Sequence, residues 1–370
     1  MNKTVGVILN NPDIDLGELT EVRGANTLPF GGRYRLVDFA LSNFVNSGIR
    51  KIGVFASDKY RSLVDHLGTG QEWSLSRKSQ DLITMQGGAA NYLARQRCYI
   101  NLMEFNENMG FITRTMPENV VIASSNLVAN LDIEQLIEYH EKMNADVTLL
   151  TKKQLAHQTA DAADLGVGAD ESGRVSVLSP GNAKGCDHVY LEIMVIRTSL
   201  LLRAIKQSTV INSYDLIDIL SRMVRDLQIY SYEYTGYIRV IRSLKSYYQA
   251  SMDLLNPSIA QRLFRTDRQI STKIKDNPPT AYGGAARVNH SLIASGCNIE
   301  GTVSGSVLFR MVDVGGGTII RDSILMEACH IGRNVILEHV ILDRGVTVSD
   351  EVVLQGTQEN PVVIRKGDRI

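Results

Sequence analysis

The sequence predicts an α/β protein in which a Rossmann-like, mainly parallel sheet domain precedes a C-terminal parallel β-helix. Two observations support this prediction. Over the first two-thirds of the 370 residues, short apolar segments alternate with helix-like segments, which is typical of a parallel sheet with crossover helices. From Ser291 onward, short aliphatic runs recur every 15–17 residues with glycine or polar residues between them, which is typical of a hexapeptide solenoid.

The elements of the first part follow from apolar runs, helical periodicity and glycine stops, such as Gly48 and Gly68. The predicted strands are Thr4–Asn10, Lys51–Phe55, Val120–Ala123 and Asp146–Leu150. The predicted helices are Tyr34–Ser47, Tyr60–Leu67, Asn91–Phe105, Ile133–Met143, Leu200–Ile205, Leu216–Leu227 and Leu244–Leu255. Two glycine-rich polar segments, Gly166–Gly173 and Ser179–Gly185, predict hairpin loops.

The change from alternating strand-like and helix-like segments to short periodic aliphatic runs predicts two domains. We assign residues 1–255 to the α/β domain, 256–284 to a charged linker that contains the turn-forming Asn277-Pro278-Pro279, and 285–370 to the β-helix. Four rows stack from Ser291 to Gly356, and each opens with an aliphatic run. An antiparallel sandwich would instead require strict apolar–polar alternation, which the rows lack.

The composition limits the partners and the location of the protein. The 39 basic and 40 acidic residues leave a formal net charge of −1, so electrostatics offer no reason to expect nucleic acid or a membrane surface as a partner. No apolar run reaches the roughly 18–20 residues that span a bilayer, and Asn10 ends the first apolar stretch too early for a signal peptide. The 4 cysteines form no CxxC pair, which favours reduced thiols in a cytoplasmic protein.

The segment after the first strand lacks a phosphate-binding loop. Such loops wrap phosphates with the backbone N–H groups of a glycine-rich turn. Here the segment from Asn10 to Thr20 carries Asp13, Asp15 and Glu18 and only one glycine. Those acids would repel a triphosphate that has no metal to shield it. We therefore predict that the chain is inactive or nearly inactive as a transferase by itself.

Residues 29–49, PFGGRYRLVDFALSNFVNSGI, followed by a hexapeptide solenoid, make the chain resemble the ADP-glucose pyrophosphorylase (glucose-1-phosphate adenylyltransferase) family. The likeness covers nearly the whole chain. It implies a nucleotidyltransferase-like domain, a left-handed β-helix and a tetrameric assembly. Catalytic family members join glucose 1-phosphate to ATP and release pyrophosphate, with a carboxylate-held magnesium neutralising phosphate charge.

Six functional motifs of the catalytic members are altered in this chain, all at positions that contact nucleotide, metal or sugar phosphate. Asn126 stands where the resemblance expects the metal-binding aspartate, and an amide lacks the anionic oxygen that magnesium prefers. The other altered positions are the GGxGxRL loop at Asn10–Thr20, the R-A-K lysine at Ala25, the acid of GTADAV at Ala90, the E-K-P lysine near Ser179-Pro180, and the W-x-D-V-G-T segment at Ile238–Ser243.

A preserved framework with an altered site resembles the non-catalytic subunit that accompanies the catalytic subunit in Gram-positive bacteria. The resemblance implies a regulatory subunit that forms a hetero-oligomer, as a tetramer, with its catalytic paralogue during glycogen biosynthesis. Magnesium and ATP would belong to the partner, so this chain is expected to have no catalytic, cofactor or metal residues. A small anionic effector would bind in the cleft between the domains, at Arg23, Arg33, Arg35, Ser295 and Gly296.

Two alternatives remain open: an active sugar-phosphate nucleotidyltransferase with a rearranged site, and a stand-alone sensor of sugar phosphate or nucleotide. Asp218 is the residual candidate for a metal ligand under the first alternative. His330 and His339 are interpreted as surface histidines, because no coenzyme-A features surround them. Cys98 and Trp73 are interpreted as packing residues, and the sequence favours a solenoid turn that needs glycine over an effector contact at Ser295-Gly296.

Overall fold

A computed structural model describes residues 3–10, 14–56, 59–76, 81–87, 98–154, 164–183, 185–211 and 213–370. These residues form an N-terminal α/β domain and a C-terminal parallel β-helix, which confirms the predicted fold class. None of the helices within these ranges has the length and apolar content that crossing a membrane requires.

Thirteen strands and nine α-helices lie before the β-helix in the described residues. The strands are β1 Thr4–Leu9, β2 Pro29–Phe30, β3 Tyr34–Arg35, β4 Ile52–Ala56, β5 Leu82–Gln86, β6 Asn119–Ser124, β7 Leu127–Ala129, β8 Val147–Lys153, β9 Gly166–Ala169, β10 Val175–Ser179, β11 His188–Arg197, β12 Ile229–Glu233 and β13 Ile238–Val240. The helices are α1 Leu36–Asn46, α2 Arg61–Leu67, α3 Leu102–Glu107, α4 Met109–Thr115, α5 Ile133–Lys142, α6 Thr198–Ile211, α7 Leu216–Arg222, α8 Leu244–Asp253 and α9 Pro257–Leu263.

The central sheet has nine strands, with β10-β9-β11-β6-β1-β4-β5 in order and β8 joining β11 to β12. The run β6-β1-β4-β5 is parallel, as predicted, and β6, β1 and β4 are buried on both faces. β11 runs antiparallel to both β6 and β8. The carboxyl ends of β1 and β6 therefore meet at one edge of the sheet, which is where ligands bind in open α/β sheets.

The β-helix contains five coils, each contributing one strand to each of three five-stranded parallel sheets. The first sheet is β14 Ala281–Tyr282, β17 Asn298–Ile299, β20 Asp313–Val314, β23 His330–Ile331 and β26 Thr347–Val348. The second sheet is β15 Arg287–Asn289, β18 Thr302–Ser304, β21 Ile319–Arg321, β24 Ile336–Glu338 and β27 Val353–Gln355. The third sheet is β16 Leu292–Ile293, β19 Val307–Leu308, β22 Ile324–Leu325, β25 Val340–Leu342 and β28 Val362–Ile364.

Several predicted boundaries differ from the structure for physical reasons. Tyr34 and Arg35 pair with β2 in a hairpin, so α1 begins at Leu36. Gly166–Ala169 is a strand rather than a loop, because it pairs with both β10 and β11. Of the predicted helix 91–105, residues 91–97 lie outside the described residues. Within the described residues, α3 begins at Leu102.

The predicted linker is partly structured. α9 lies within it, and its first turn is capped by the Asn256 side chain, which accepts from the Ser258 N–H at 3.0 Å. The β-helix also begins earlier than predicted, at β14 with Ala281, so it has a fifth coil that the four rows from Ser291 omit.

A shared apolar core joins the two domains. Phe30 and Tyr247 of the α/β domain belong to the same buried cluster as Val307, Ile324 and Ile341 of the third sheet. The third sheet is thus covered by the α/β domain. Because this core is continuous, groups from both domains are held in defined positions around the cleft beside it.

Candidate functional site

Asn126 follows β6 at the carboxyl edge of the central sheet, and its side chain has a structural role. Asn126 Nδ2 donates to the carbonyl oxygen of Ile241 at 2.9 Å, and the backbone N–H of Ile241 donates to the carbonyl oxygen of Asn126 at 2.9 Å. Asn126 is 1% exposed, and its Oδ1 has no hydrogen-bond partner among the described residues. The amide therefore fixes the segment after β13 against β6.

A buried group of three charges lies at the same edge. Glu192 in β11 is next to Ile193, which pairs with Ala123 of β6. Arg242, directly after Ile241, donates from Nε and Nη2 to Glu192 Oε1 at 2.9 and 2.5 Å, and from Nη1 to Asp164. The side chains of Arg242, Glu192 and Asp164 are 13%, 9% and 14% exposed. These three residues, which we call the edge triad, occupy the sheet edge with paired charges.

The backbone at Glu192 is strained to place this carboxylate. Glu192 has a φ of 58°, at a point where the pairing between β8 and β11 shifts register. A left-handed backbone at a residue other than glycine costs roughly 1–2 kcal/mol. The ion pairs with Arg242 offset that cost. Burial by itself lowers the pKa of Arg242, but the charges of Glu192 and Asp164 outweigh it and raise the pKa above its usual range.

The residues at this edge do not fit magnesium. Magnesium binds carboxylates together with substrate phosphates, but position 126 offers an amide. The two acids of the edge triad are bonded to Arg242 rather than free to bind a cation. In the described part of the chain, no group of three or more His, Cys, Asp or Glu side chains could hold a metal ion. Asp218, the residual candidate, lies in the first turn of α7.

A cavity of about 400 Å³ lies between the domains and is strongly basic. Its α/β side is formed around the turn between β2 and β3, where Gly31 and Gly32 have φ values of 58° and 80°. A Cβ on Gly32 would lie 2.7 Å from Leu292 Cδ2 of the β-helix. The absence of a side chain thus lets the turn approach the β-helix closely and directs the following Arg33 into the cavity. We call this cavity the interdomain cleft.

Nine basic residues line the interdomain cleft, against two acids, Asp65 and Glu327. The basic residues are Arg23, Arg33, Arg35, Arg61, Lys273, Lys275, Arg310, Arg344 and Lys366. They come from both domains and from the segment that joins them. A concave site with this excess of positive charge concentrates small anions.

Some of these basic groups already have partners. Lys275 Nζ lies 2.5 Å from Glu327 Oε1, and Arg344 Nε lies 3.5 Å from Glu327 Oε2. Arg35 donates to the Ser62 carbonyl oxygen and hydroxyl at 2.8 and 2.9 Å. No acid among the described residues forms an ion pair with Arg33, Arg61, Arg310 or Lys366. Those four groups are available for a ligand.

The excess of positive charge affects the ionisation of the cleft. Burial lowers the pKa of Arg35, the positive charges of Arg23 and Arg344 lower it further, and Asp38 opposes them. Burial likewise lowers the pKa of Arg310, with a further contribution from Arg33. These shifts show that the guanidinium groups repel one another in a partly desolvated site. An anion that bound there would relieve this repulsion, and guanidinium groups suit phosphate and carboxylate oxygens.

Comparison with known proteins agrees with the two-domain organisation. Residues 16–179 match the nucleotidyl transferase family, and residues 279–360 match the GlmU-like C-terminal hexapeptide family. The chain is 34% identical over 352 residues to the glycogen biosynthesis protein GlgD of Bacillus subtilis (strain 168), covering 95% of this chain and 92% of the relative. The GlgD of Geobacillus stearothermophilus is 37% identical over 367 residues, covering 99% and 97%. The chain belongs to the GlgD family.

The GlgD family is related to glucose-1-phosphate adenylyltransferase. The enzyme of that name from Bacillus cereus (strain Q1) is 27% identical over 373 residues, covering 95% of each chain. This likeness confirms the resemblance inferred from residues 29–49. The GlgD relatives are named as glycogen biosynthesis proteins. The lower identity to the enzymes than to the GlgD proteins is consistent with the changes at the sheet edge.

The structure brings together three of the five residues that the sequence predicted for an effector site. Arg33, Arg35 and Arg23 all line the cleft of this GlgD-family chain. Arg23 is 6% exposed and is bonded to Asp343, so it borders the cleft without being free to bind. Ser295 and Gly296 do not line the cleft.

Sequence reasoning missed the β-helix side of the cleft, although a signal exists. Each coil has one corner that follows its strand in the third sheet. The backbone carbonyl oxygen at such a corner accepts a hydrogen bond from a backbone N–H of the next coil. The corner column consists of Ser295, Arg310, Glu327, Arg344 and Lys366. Ser295 is therefore at the right corner but on the first coil, whereas the last four residues line the cleft. Aligning the rows by corner would have found them.

The remaining predicted residues have structural surroundings. Trp73 is buried, whereas Cys98 is only half-buried. His330 is exposed and bonds Asp313, and His339 Nδ1 lies 2.8 Å from the hydroxyl of Tyr248. Of the GTADAV-like segment, residues 88–92 lie outside the described residues.

Proposed function

We propose that this chain is a non-catalytic regulatory subunit of glucose-1-phosphate adenylyltransferase, which assembles with the catalytic subunit and modulates its production of ADP-glucose for glycogen biosynthesis. The observation that carries the proposal is the edge triad. Arg242, Glu192 and Asp164 fill the carboxyl edge of the central sheet with internally paired, largely buried charges. An open α/β sheet binds its ligand at that edge.

The chemistry of nucleotidyl transfer makes this arrangement unsuitable for catalysis. Transfer of a phosphoryl group depends on positioning and on neutralising phosphate charge, with little covalent work by the protein. Here an incoming nucleotide would meet Glu192 and Asp164, which already pair with Arg242, and the amide of Asn126. Separating a buried ion pair typically costs about 3–5 kcal/mol. The fold thus keeps the framework of the family while its substrate edge is closed.

The interdomain cleft supports a regulatory role for the retained framework. Arg33 on the α/β side and Arg310 on the β-helix side have no acidic partner among the described residues and line the same cavity. A small anion held by both would bridge the domains. Because binding energy is shared between the domains, ligand occupancy would favour one relative arrangement of them. The ligand class is a small phosphorylated or carboxylated metabolite.

The test is to purify the chain alone and after co-expression with a catalytic relative, and to measure ADP-glucose formation in each case. We expect no measurable formation by the chain alone, co-purification with the relative, and a changed turnover or effector response of that relative. An unchanged catalytic relative with no co-purification would reject the proposal. Robust synthesis by the isolated chain would support instead an active transferase with a rearranged site.

A stand-alone anion sensor is the second candidate, because the interdomain cleft alone would suffice for it. Isothermal titration of the isolated chain with inorganic pyrophosphate, combined with the co-purification result, distinguishes a stand-alone sensor from a regulatory subunit. Tight binding by a chain that associates with no catalytic relative would favour the sensor.

A further inference from the structure

We propose that a surface groove between α6 and α7 is a binding site for a small amphiphilic anion, a molecule whose apolar chain ends in a carboxylate or phosphate. This inference does not depend on the proposed regulatory function. It rests on the apolar floor of the groove and on three unpaired cations that line it.

The groove follows from the way the two helices pack. α6 buries Leu201, Ala204 and Ile205 in the same core cluster as Ile219 and Leu220 of α7. The next face of α6, which includes positions 202, 206 and 210, is left beside α7 on the outside of this core. The space between the two helices has a volume of about 720 Å³. Small-molecule sites typically have volumes of roughly 300–1,000 Å³.

The least exposed residues that line the groove are apolar and form its floor. Ile219 is 3% exposed, and Leu202 and Met223 are half-buried against the core. Val210, near the end of α6, is 83% exposed, more than any other large apolar side chain among the described residues. Leu202 and Val210 are eight residues apart on α6, so the apolar strip extends about 12 Å along the helix.

Three cations line the same groove without acidic partners. Arg203 and Lys206 lie one turn apart on α6, and Arg222 lies on the α7 side. All three are exposed, and no acid among the described residues forms an ion pair with any of them. Asp218, one turn before Arg222, does not line the groove. Like charges one turn apart on a helix repel each other, so a bound anion would be stabilising here.

An apolar floor beside unpaired cations is complementary to a molecule that has both an apolar chain and a negative charge. The chain would replace water over Leu202, Val210 and Met223, and its carboxylate or phosphate would accept hydrogen bonds from the guanidinium groups of Arg203 or Arg222. A purely ionic ligand would leave the floor in water, and a neutral ligand would leave the cations unpaired. The groove therefore favours an amphiphilic anion.

A membrane surface offers the same chemistry but fits the groove less well. Ile219, Leu202 and Met223 are recessed in the groove, so a flat bilayer would meet chiefly Val210. Helices that bind at a bilayer surface insert a broad apolar face rather than a single side chain. The formal net charge of −1 also gives the chain no general attraction to anionic lipid. The ligand is therefore a free, soluble amphiphile.

Isothermal titration of the isolated full-length chain with hexanoate, octanoate and decanoate, each below its micelle concentration, tests the apolar floor. The Kd should fall about two- to fourfold for each added CH₂ as the chain covers the floor. 1-Octanol has the chain of octanoate without its charge and should bind at least about tenfold more weakly than octanoate. Acetate, which has the charge without the chain, should show no saturable binding.

The cations are tested by removing their charges one at a time. Arg203→Gln, Lys206→Gln and Arg222→Gln should each raise the octanoate Kd about tenfold and leave the 1-octanol Kd within about twofold of its original value. Arg225→Gln is the matched control, because Arg225 is also exposed but does not line the groove. It should leave both Kd values unchanged.

The floor is tested by a pair of substitutions at neighbouring exposed positions of α6. Val210→Asp places a carboxylate in the groove against the apolar chain and should raise the decanoate Kd at least about tenfold. Thr209→Asp adds the same charge at a position that does not line the groove and should leave the Kd within about threefold of its original value. Circular dichroism and thermal unfolding of each variant show whether the fold is intact.

Several results would overturn the proposal. Decanoate could show no saturable binding, the Kd could be independent of chain length, or the groove variants could behave like their controls. Val210-dependent sedimentation with phosphatidylglycerol vesicles, without decanoate binding, would assign the surface to a membrane. Loss of decanoate binding in Arg33→Gln would place the ligand in the interdomain cleft. We expect Arg33→Gln to retain it, so failure of the proposed regulatory function would leave these measurements unaffected.

Discussion

Arg23 and Asp343 form a buried ion pair that joins the two domains. Arg23 Nη2 lies 2.6 Å from Asp343 Oδ2 and 2.8 Å from Oδ1, and the two side chains are 7% and 0% exposed. Arg23 belongs to the loop that replaces the phosphate-binding loop of the family, and Asp343 follows β25 of the β-helix. The loop is thereby fixed to the β-helix beside the interdomain cleft.

Replacing only one of these two residues should destabilise the protein more than replacing both. Arg23→Met or Asp343→Leu leaves one buried charge without its partner, which typically costs about 3–5 kcal/mol. The double variant should be more stable than either single variant, because no charge remains unpaired. Scanning calorimetry of the three variants measures this. Additive losses in the double variant would contradict the paired role.

Removing positive charge from the interdomain cleft should weaken anion binding. Arg33→Gln and Arg310→Gln each delete a charge-assisted contact, so we expect the Kd for inorganic pyrophosphate to rise about ten- to a hundredfold. Isothermal titration calorimetry gives the value. The control is Arg365→Gln, whose side chain pairs with Glu21 at 3.2 Å and does not line the cleft. An equal effect of this control would indicate general charge attraction rather than a site.

Restoring a carboxylate at position 126 should not restore a metal site. In Asn126→Asp, a carboxylate oxygen would face the Ile241 carbonyl oxygen that Nδ2 now bonds at 2.9 Å. We expect a loss of about 1–3 kcal/mol in the free energy of unfolding and no gain in ADP-glucose formation. Denaturant unfolding and an activity assay test both. Asn46→Asp is the control, because its amide bonds Gln269 at 3.0 Å in an exposed position. Activity in Asn126→Asp would refute our account of the edge.

The stability of the protein should depend on His140 at mildly acidic pH. Burial lowers the pKa of His140 from 6.5 to about 4, assisted by Arg197 and opposed by Asp146. The folded chain thus keeps His140 neutral, while the unfolded chain binds a proton below about 6.5. The His140 contribution is fully present above pH 6.5 and is lost as the pH falls towards about 4.

Unfolding by urea at several pH values checks this dependence. His140→Gln should flatten the decline of the unfolding free energy between pH 6.5 and about 4. His330→Ala, at an exposed histidine of the first sheet, serves as the control and should keep the slope. A slope identical in His140→Gln and the unaltered chain would show that other groups cause the pH dependence.

Much of the fold was predictable because local patterns determine it. The buried strands β1 and β6 are continuous apolar runs, and the β-helix shows its period directly. The errors arose where tertiary pairing overrides local preference. Gly166–Ala169 is rich in glycine, yet it is a strand because β10 and β11 offer hydrogen bonds on both sides. The first coil was missed because Ala281 and Tyr282 lie on exposed strand surface without an aliphatic run.

The candidate site was predictable only in part. Arg33 and Arg35 were found because they sit inside the segment that carries the family resemblance. The edge triad was not found, since Asp164, Glu192 and Arg242 are far apart in the sequence and meet only through the sheet. Nothing in their local sequence distinguishes them from surface charges.

The corner of the β-helix sets a distance between charges. Arg310 and Arg344 occupy one corner two coils apart, with Glu327 on the coil between them. Adjacent coils are about 4.8 Å apart, so the two arginines leave the backbone about 10 Å from each other. A compact monophosphate that reached both would have to pass the carboxylate. We therefore expect the proposed anionic ligand, if it contacts both arginines, to be an elongated molecule with negative groups at both ends.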